Sequence, residues 1–340
     1  MNEKRCSNLP LISLPIVNYN GAKFLKQCLT SVLSADYPKL EVIFFDNGSS
    51  DDSVDLVRKI FSDNPHLTII ENSRNIGLAK AANICAKIAS GKYLLFLDTD
   101  TQIEGNCVKE IVNVLEKNPN VGGGQCKLLY IDDRKIFYST GTFLDTVGIC
   151  HYRGVNKIDK GQYNSISSIF AAIGAAFFVR KELFDRLGGF DEDYFTWGED
   201  IDLCWRIWLS GHKVIFIPTA VVYHKGSGTS GRVNERRRVC ITYRNWIITK
   251  VKNHEKARNM VIYLFFLFLF GVINIKKSYL VAILSSISYN ILHFKETWRK
   301  RLQVQPLITI TTKQLIEEGI LWKFDVKRII SNHNKGVLSE

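Results

Sequence analysis

The sequence predicts an α/β protein: a mostly parallel sheet with flanking helices, followed by a basic and apolar helical region. Three observations carry this. Residues 11–117 alternate apolar runs of strand length with amphipathic runs of helix length, the pattern of βαβ units. The apolar run Tyr93–Leu97 ends in Asp98-Thr99-Asp100, so two carboxylates stand where a buried strand gives way to a loop. Beyond Gly231 the composition changes. Lys225 to Arg258 holds ten Lys/Arg against two Glu, a local net charge of +8 (10 − 2), and an apolar run follows it.

The elements follow in order. Leu11–Asn18 reads as a strand and Ala22–Leu33 as a helix. Leu40–Asp46 is the second strand. Asp51–Phe61 is a helix capped by Ser49, Ser50 or Asp51. Leu67–Glu71 is a strand, Leu78–Ala89 a helix, Tyr93–Asp98 a strand and Glu104–Lys117 a helix. Strands are expected around Gly124–Tyr130 and Phe137–Phe143, then an irregular polar segment over Tyr152–Ser168. Phe170–Val179 is small and apolar. Lys181–Leu187 is helical and stops at Gly188-Gly189, and Glu199–Leu209 is helical and stops at Gly211. Val214–Ile217 and Ala220–Tyr223 read as two short strands.

The 340 residues carry a net charge of +12, with the excess concentrated after residue 225. Eight cysteines include no Cys-x-x-Cys pair, so neither a zinc site nor a disulfide framework is indicated, and a reducing, cytoplasmic compartment is the expectation. The first apolar run is broken by Pro10 and Pro15, unlike a secretory signal. No recognisable nucleic-acid module accompanies the basic segment.

Candidate chemistry lies at the ends of the expected strands, the edge where open α/β sheets bind ligands. Asp98 and Asp100 suit a hard divalent cation shared with substrate phosphates; a solvated acidic turn is the plainer reading. No Gly-x-Gly-x-x-Gly follows the first strand, which ends Asn18-Tyr19-Asn20-Gly21, so a dinucleotide site is not expected. Asp46 ends the second strand and could accept hydrogen bonds from a base or ribose, or serve the Asn47–Asp51 turn. Asn75-Ile76-Gly77 precedes the third helix as a turn and cap. In Trp197–Arg206, Asp200 and Cys204 share one helix face while Asp202 points away and is spaced to pair with Arg206. Asp200 is either a helix cap or a general base that the helix N-terminus keeps ionised and weakly basic. His224 ends a strand and could join a carboxylate metal site.

These segments, in this order, resemble the inverting glycosyltransferases of family 2, with the GT-A fold. The rhamnosyltransferase- and galactofuranosyltransferase-like branch is the nearest in motif text. The matching text is Ile16–Gly21, Val42–Ser53, Asn75–Ala79, Leu94–Asp100, Gly174–Arg180, Gly188–Glu192, Glu199–Arg206 and Val221–His224. The likeness covers roughly residues 10–250. It implies a nucleotide-diphosphate-sugar donor, UDP- or dTDP-linked, and a Mn²⁺ or Mg²⁺ ion. Asp98 and Asp100 would be metal ligands with His224 a further one, Asp200 the catalytic base, and Asn18, Asp46, Asn75 and Asp98 donor-binding. Trp197 and Glu199 are expected on the acceptor side. A glycan or lipid-linked acceptor in surface-polysaccharide assembly follows from the same likeness.

The expected division is a catalytic domain over residues 1–230 and a helical region over 231–340. Met260–Ile273 is an apolar run of 14, short of the roughly 20 residues that span a bilayer. Lys/Arg lie on both sides of it and of the second apolar stretch, Ser278–Phe294. A spanning hairpin would place Lys276-Lys277 outside, against the positive-inside tendency. Helices lying in the interface of the inner membrane face fit better; a buried pair or a dimer surface is the alternative. Two other functions compete. Leu95–Asp100 resembles the nucleophile motif of haloacid-dehalogenase-type phosphatases, but Gln102 stands where Thr or Val is wanted and three strands precede it. A non-catalytic nucleotide-sugar-binding protein on the same fold is the other.

Overall fold

The computed structural model describes residues 9–146, 148–226, 234–254 and 277–323. In chain order these are β1 (Ile12–Asn18), α1 (Ala22–Leu33), β2 (Leu40–Asn47), α2 (Ser53–Phe61), β3 (Leu67–Asn72), α3 (Leu78–Ile88) and β4 (Tyr93–Asp98). Then come β5 (Thr101–Ile103), α4 (Cys107–Lys117), β6 (Val121–Tyr130), β7 (Phe137–Ser139), β8 (Thr142–Asp145), β9 (Cys150–Tyr152), β10 (Ser167–Ser168), β11 (Ala176–Arg180) and α5 (Lys181–Arg186). The chain continues through α6 (Glu199–Leu209), β12 (Lys213–His224), α7 (Glu235–Asn253), α8 (Lys277–Leu292), α9 (Phe294–Val304), α10 (Thr312–Glu317) and β13 (Leu321–Trp322).

The main sheet runs β10-β12-β6-β11-β4-β1-β2-β3. β1, β2, β3 and β4 are mutually parallel, β6 and β12 pair in parallel, and β11 is antiparallel to both β4 and β6. Register sets the site: Asn18 lies opposite Asp46, and Val17 opposite Asp98. Three polar strand ends therefore share one edge. Because β11 runs the other way, its entry at Gly174-Ala175 comes to that same edge.

Both faces of the sheet are covered. Ile43, Phe45, Leu94 and Phe96 pack with α3 and α6 in one core, while Val42, Phe44, Leu95 and Leu97 pack with α1 and α4 in the other. Strands buried on both sides read as unbroken apolar runs, which is why β2 and β4 are plain in the sequence. Val304, Leu315, Ile320 and Leu321 join the first core, so the end of the described chain is packed into the α/β body.

Several expectations are corrected. Residues 137–143 are not one strand. Gly141 has a φ of +125°, and a Cβ there would meet the Ile169 side chain at 2.4 Å, so the chain turns and leaves β7 for β8. The two strands expected at 214–223 are one, β12, with its register shifted between Ile217 and Val221; Pro218-Thr219 bulges without ending the strand. The small apolar run 170–179 divides into a crossover bonded through Ala171 to Thr142 and the start of β11 at Ala176. The run Met260–Ile273 lies outside the described residues. Among the described residues no helix is long and apolar enough to cross a membrane.

Candidate active site

Asp98 and Asp100 flank the turn between β4 and β5. Thr101 Oγ1 donates to the Asp98 carbonyl at 2.7 Å, and Lys225 N–H donates to the Asp100 carbonyl at 3.0 Å. β5 then pairs with the end of β12, placing Thr101 opposite His224. His224 Nε2 lies 3.1 Å from Asp100 Oδ1 and 3.8 Å from Asp98 Oδ2. Asp100 and His224 are buried and Asp98 stands at the mouth, with 42% of its side chain exposed.

One ligand atom from each of the three lies within 4.8 Å of the others. Neighbouring ligands on a six-coordinate Mg²⁺ or Mn²⁺ are about 3 Å apart, so this oxygen–oxygen–nitrogen set fits such an ion with small adjustment. The electrostatics agree. Desolvation, and then the Asp100 charge, hold the Asp98 carboxyl above the usual range. Burial would push the His224 imidazole down, but the Asp100 hydrogen bond and both carboxylate charges outweigh it and hold it above its ordinary value. A cation would relieve the crowding of the two carboxylates. The Tyr138 ring packs edge-on to the His224 ring at 4.4 Å and walls one side.

Asp200 stands in the first turn of α6. Gly174 N–H donates to its Oδ2 at 2.9 Å and Ile201 N–H to its Oδ1 at 2.7 Å. One turn on, Cys204 Sγ accepts from Ala172 N–H at 3.4 Å, as a shared helix face requires. Asp200 is near enough to Asp98 for the two charges to interact. The helix N-terminus does not keep this group weakly basic, as the sequence suggested. Burial raises the Asp200 pKa and outweighs the N–H bonds that favour the ion. A raised pKa makes it a better proton acceptor while the backbone bonds fix its orientation.

Glu199, beside it, is buried, and among the described residues its Oε2 has no hydrogen-bond partner. Desolvation, then the Asp200 charge, push its carboxyl up to about 8. Of the two neighbours, Glu199 is the one held protonated at neutral pH. Trp197 is half-buried at a φ of +66°. Asp202, on the far side of α6, bonds Arg206 at 2.7 Å, the expected i, i+4 pair, and also Lys252 of α7 at 2.9 Å.

The strand-end polar residues form two linked clusters. Asn18 Nδ2 donates to Asp46 Oδ1 at 2.8 Å and to Ser49 Oγ at 3.0 Å, and Ser49 N–H donates to Asp46 Oδ2 at 2.9 Å. Asn18 is fully buried, and these bonds hold the loop that follows β2. Asn75 accepts from Gly77 N–H at 2.9 Å and from Asn47 Nδ2 at 3.1 Å. Gly77, at a φ of +89°, lies so close to Phe195 that a Cβ would sit 2.8 Å from its carbonyl oxygen. That carbonyl accepts the Leu78 N–H opening α3 at 2.6 Å. The Asn75 loop and the Trp197 loop are therefore tied together. Asn47, Ser49, Tyr138 and Phe195 also form the site; in the sequence only the strand-end position of Asn47 and the turn position of Ser49 signal it.

The family model described as glycosyl transferase family 2 matches residues 13–188. The chain belongs to glycosyl transferase family 2. A second model, described as the N-terminal domain of galactosyltransferase, matches residues 156–226 of this family 2 chain and so reaches His224. Poly-beta-1,6-N-acetyl-D-glucosamine synthase of Staphylococcus epidermidis is 25% identical over 226 residues, 66% of this chain and 52% of the relative. The same enzyme of Staphylococcus aureus (strain COL) is 25% identical over 232 residues, again 66% and 52%. The chain thus spans about half the length of the curated relatives it matches. Among solved structures, GalNAc-T7 with UDP, GalNAc and Mn²⁺ has a TM-score of 0.68 at 19% identity, covering 98% of this chain and 60% of that one. Staphylococcus aureus TarS 1–349 in complex with UDP-GlcNAc has a TM-score of 0.57 at 16% identity, covering 93% and 94%. At these identities the likeness is one of fold, and the fold is the mixed α/β GT-A type.

Proposed function

We propose that this chain is an inverting, metal-dependent glycosyltransferase that moves a sugar from a nucleotide-diphosphate donor to a hydroxyl of a glycan or lipid-linked acceptor. One observation carries the reading: the Asp98–Asp100–His224 cluster and the Asp200 carboxylate meet at one sheet edge, where Gly174 N–H donates to Asp200 and the next residue, Ala175, accepts from Asp98 N–H. A Mn²⁺ or Mg²⁺ ion held by Asp98, Asp100 and His224 would neutralise charge on the departing diphosphate. Asn18, Asp46 and Asn75 hold the loops that cradle the nucleoside. Asp200, oriented by the Gly174 and Ile201 N–H groups, accepts the proton of the acceptor hydroxyl. The acceptor oxygen–anomeric carbon bond forms as the anomeric carbon–phosphate oxygen bond breaks, and the electron pair leaves with the nucleoside diphosphate. One displacement inverts the anomeric centre. Trp197 and Glu199 border the acceptor side.

The relatives named for polymer synthesis, and the neighbour bound to UDP-GlcNAc, support a UDP-sugar donor and surface-polysaccharide assembly. The motif text of the rhamnosyltransferase- and galactofuranosyltransferase-like branch keeps a dTDP-sugar as the second donor class. A lipid-linked acceptor would place the enzyme at the cytoplasmic face of the cell membrane, in peripheral contact.

The test is thermal stabilisation of the purified chain by UDP, dTDP, GDP and CDP, each with Mn²⁺ or with EDTA. A nucleotide at 100 times its Kd should add about 2.7 kcal/mol. A shift with UDP or dTDP that EDTA removes is expected. No shift with any nucleotide would overturn the reading and favour a different ligand for this edge.

A further inference from the structure

α8 and α9 run as a nearly continuous pair, broken at His293, and one face is held by the body of the protein. Ser286 Oγ donates to the Cys240 carbonyl at 2.8 Å and Asn290 Nδ2 to the Arg244 carbonyl at 3.2 Å, both on α7. Arg301 Nη1 donates to the Val251 carbonyl at 2.7 Å. The opposite face is apolar and open. Ile291, Leu292, Phe294, Trp298 and Leu302 are 69, 80, 42, 36 and 59% exposed. Val281 and Leu284 lie on the same side of α8, Leu284 two turns before Ile291 with Ser288 between them.

Charge accompanies it. Exposed Lys295 and Arg299 stand among these side chains, and Glu296 is the one acid between residues 291 and 302. Lys300 is spent on Asp191 and Asp193, and Arg301 on α7. Exposed Arg236, Arg237 and Arg238 open α7, and α7 packs alongside α8. The centres of protein–protein interfaces are depleted in lysine. Basic side chains interleaved with tryptophan, phenylalanine and aliphatic residues instead fit the boundary between anionic headgroups and acyl chains.

We propose that the outer face of α8–α9 docks this protein on an anionic phospholipid surface. This rests on the reading that the enzyme works beside a membrane, and it names the face that makes the contact. α7, against which this face is built, also bonds the Trp197 loop: Asn245 Nδ2 donates to the Trp197 carbonyl at 2.7 Å. A lipid-linked acceptor would thus be met by the element that shapes its subsite.

The test is flotation of the full chain with vesicles of phosphatidylcholine alone or mixed with phosphatidylglycerol. The chain should float with the mixed vesicles, and Lys295→Glu with Arg299→Glu should weaken this at least about 30-fold, from about fivefold per basic residue removed. Ile291→Ser with Leu292→Ser should weaken binding at least about tenfold. Both variants should keep the wild-type thermal shift with nucleotide and Mn²⁺, which shows them folded and separates this proposal from the donor-site reading. Wild-type flotation by both variants would overturn it and point to residues outside this face. A wild-type chain that does not float, with a dimer that dissociates in the Ile291→Ser, Leu292→Ser variant, would also overturn it in favour of a second copy.

Discussion

Replacing Glu199 by glutamine should stabilise the protein, and by an amount that grows with pH. Glu199 is 6% exposed and among the described residues lacks a partner for Oε2, and its carboxyl is pushed from 4.5 to about 8 by desolvation and the Asp200 charge. Between those values the unfolded chain releases the proton and the folded one keeps it. The folded state then binds more protons, so stability falls as pH rises, by up to about 1.4 kcal/mol per pH unit for this group. Glutamine copies the shape of the protonated acid and titrates nowhere. The gap between variant and wild type should be small near pH 4.5, reach roughly 3 kcal/mol at pH 7, and level off above pH 8. Urea unfolding at pH 5.0 and 7.5, read as free energies with a common slope, measures it. A gap that stays constant with pH, or a variant less stable than wild type at pH 7.5, would refute the assignment of the proton to Glu199.

Two further substitutions probe opposite faces of the same helix. Asp200→Asn should lower transfer by roughly 10²–10⁴-fold while the metal-dependent nucleotide shift stays at the wild-type size; persisting transfer in a turnover assay would remove Asp200 from the base role. Asp202→Ala leaves the buried Arg206 and Lys252 without their shared carboxylate, which should cost roughly 3–5 kcal/mol in urea unfolding. An effect below about 1 kcal/mol would mean that Asp191, the other partner of Lys252, takes over.

The legible part of this molecule was what hydrophobic patterning and strand-end chemistry specify. β2 and β4 are visible because parallel strands buried on both faces give unbroken apolar runs between amphipathic helices, and β3, at the sheet edge and only partly buried, shows instead through its short apolar run between two helices. Asp98, Asp100, Asp200 and His224 were legible as types and positions, and the structure brings them to one edge. The sheet order was not legible. That β11 runs antiparallel between β4 and β6, and so delivers Gly174 to Asp200, depends on long-range pairing that no local period encodes. Nor was the role of Gly124: a Cβ there would lie 2.0 Å from the Ile215 carbonyl, a contact made only once β6 and β12 pair. The Asp200 environment was misjudged for a related reason. The helix start is readable locally, whereas the burial that outweighs its N–H bonds arises only when the chain folds around it.

The same distance effect gives α7 its place in the site. Phe195 and Trp197 hold φ values of +62° and +66°, a conformation costing of order 1–3 kcal/mol each in non-glycine residues unless the surroundings impose it. Asn245 imposes it: its Nδ2 reaches the carbonyls of Tyr194, Thr196 and Trp197 at 3.0, 2.9 and 2.7 Å, and Arg244 adds bonds to Asp193 and Tyr194. The turn so held puts the Phe195 carbonyl on the N-terminus of α3 and starts α6 at Glu199-Asp200. The amide of Asn245, fully buried within a helix that reads as merely basic, therefore sets where the Trp197 loop and the Asp200 carboxylate stand. In such an arrangement α7, packed between this loop and α8–α9, is coupled to the loop through the side chains of Asn245 and Arg244.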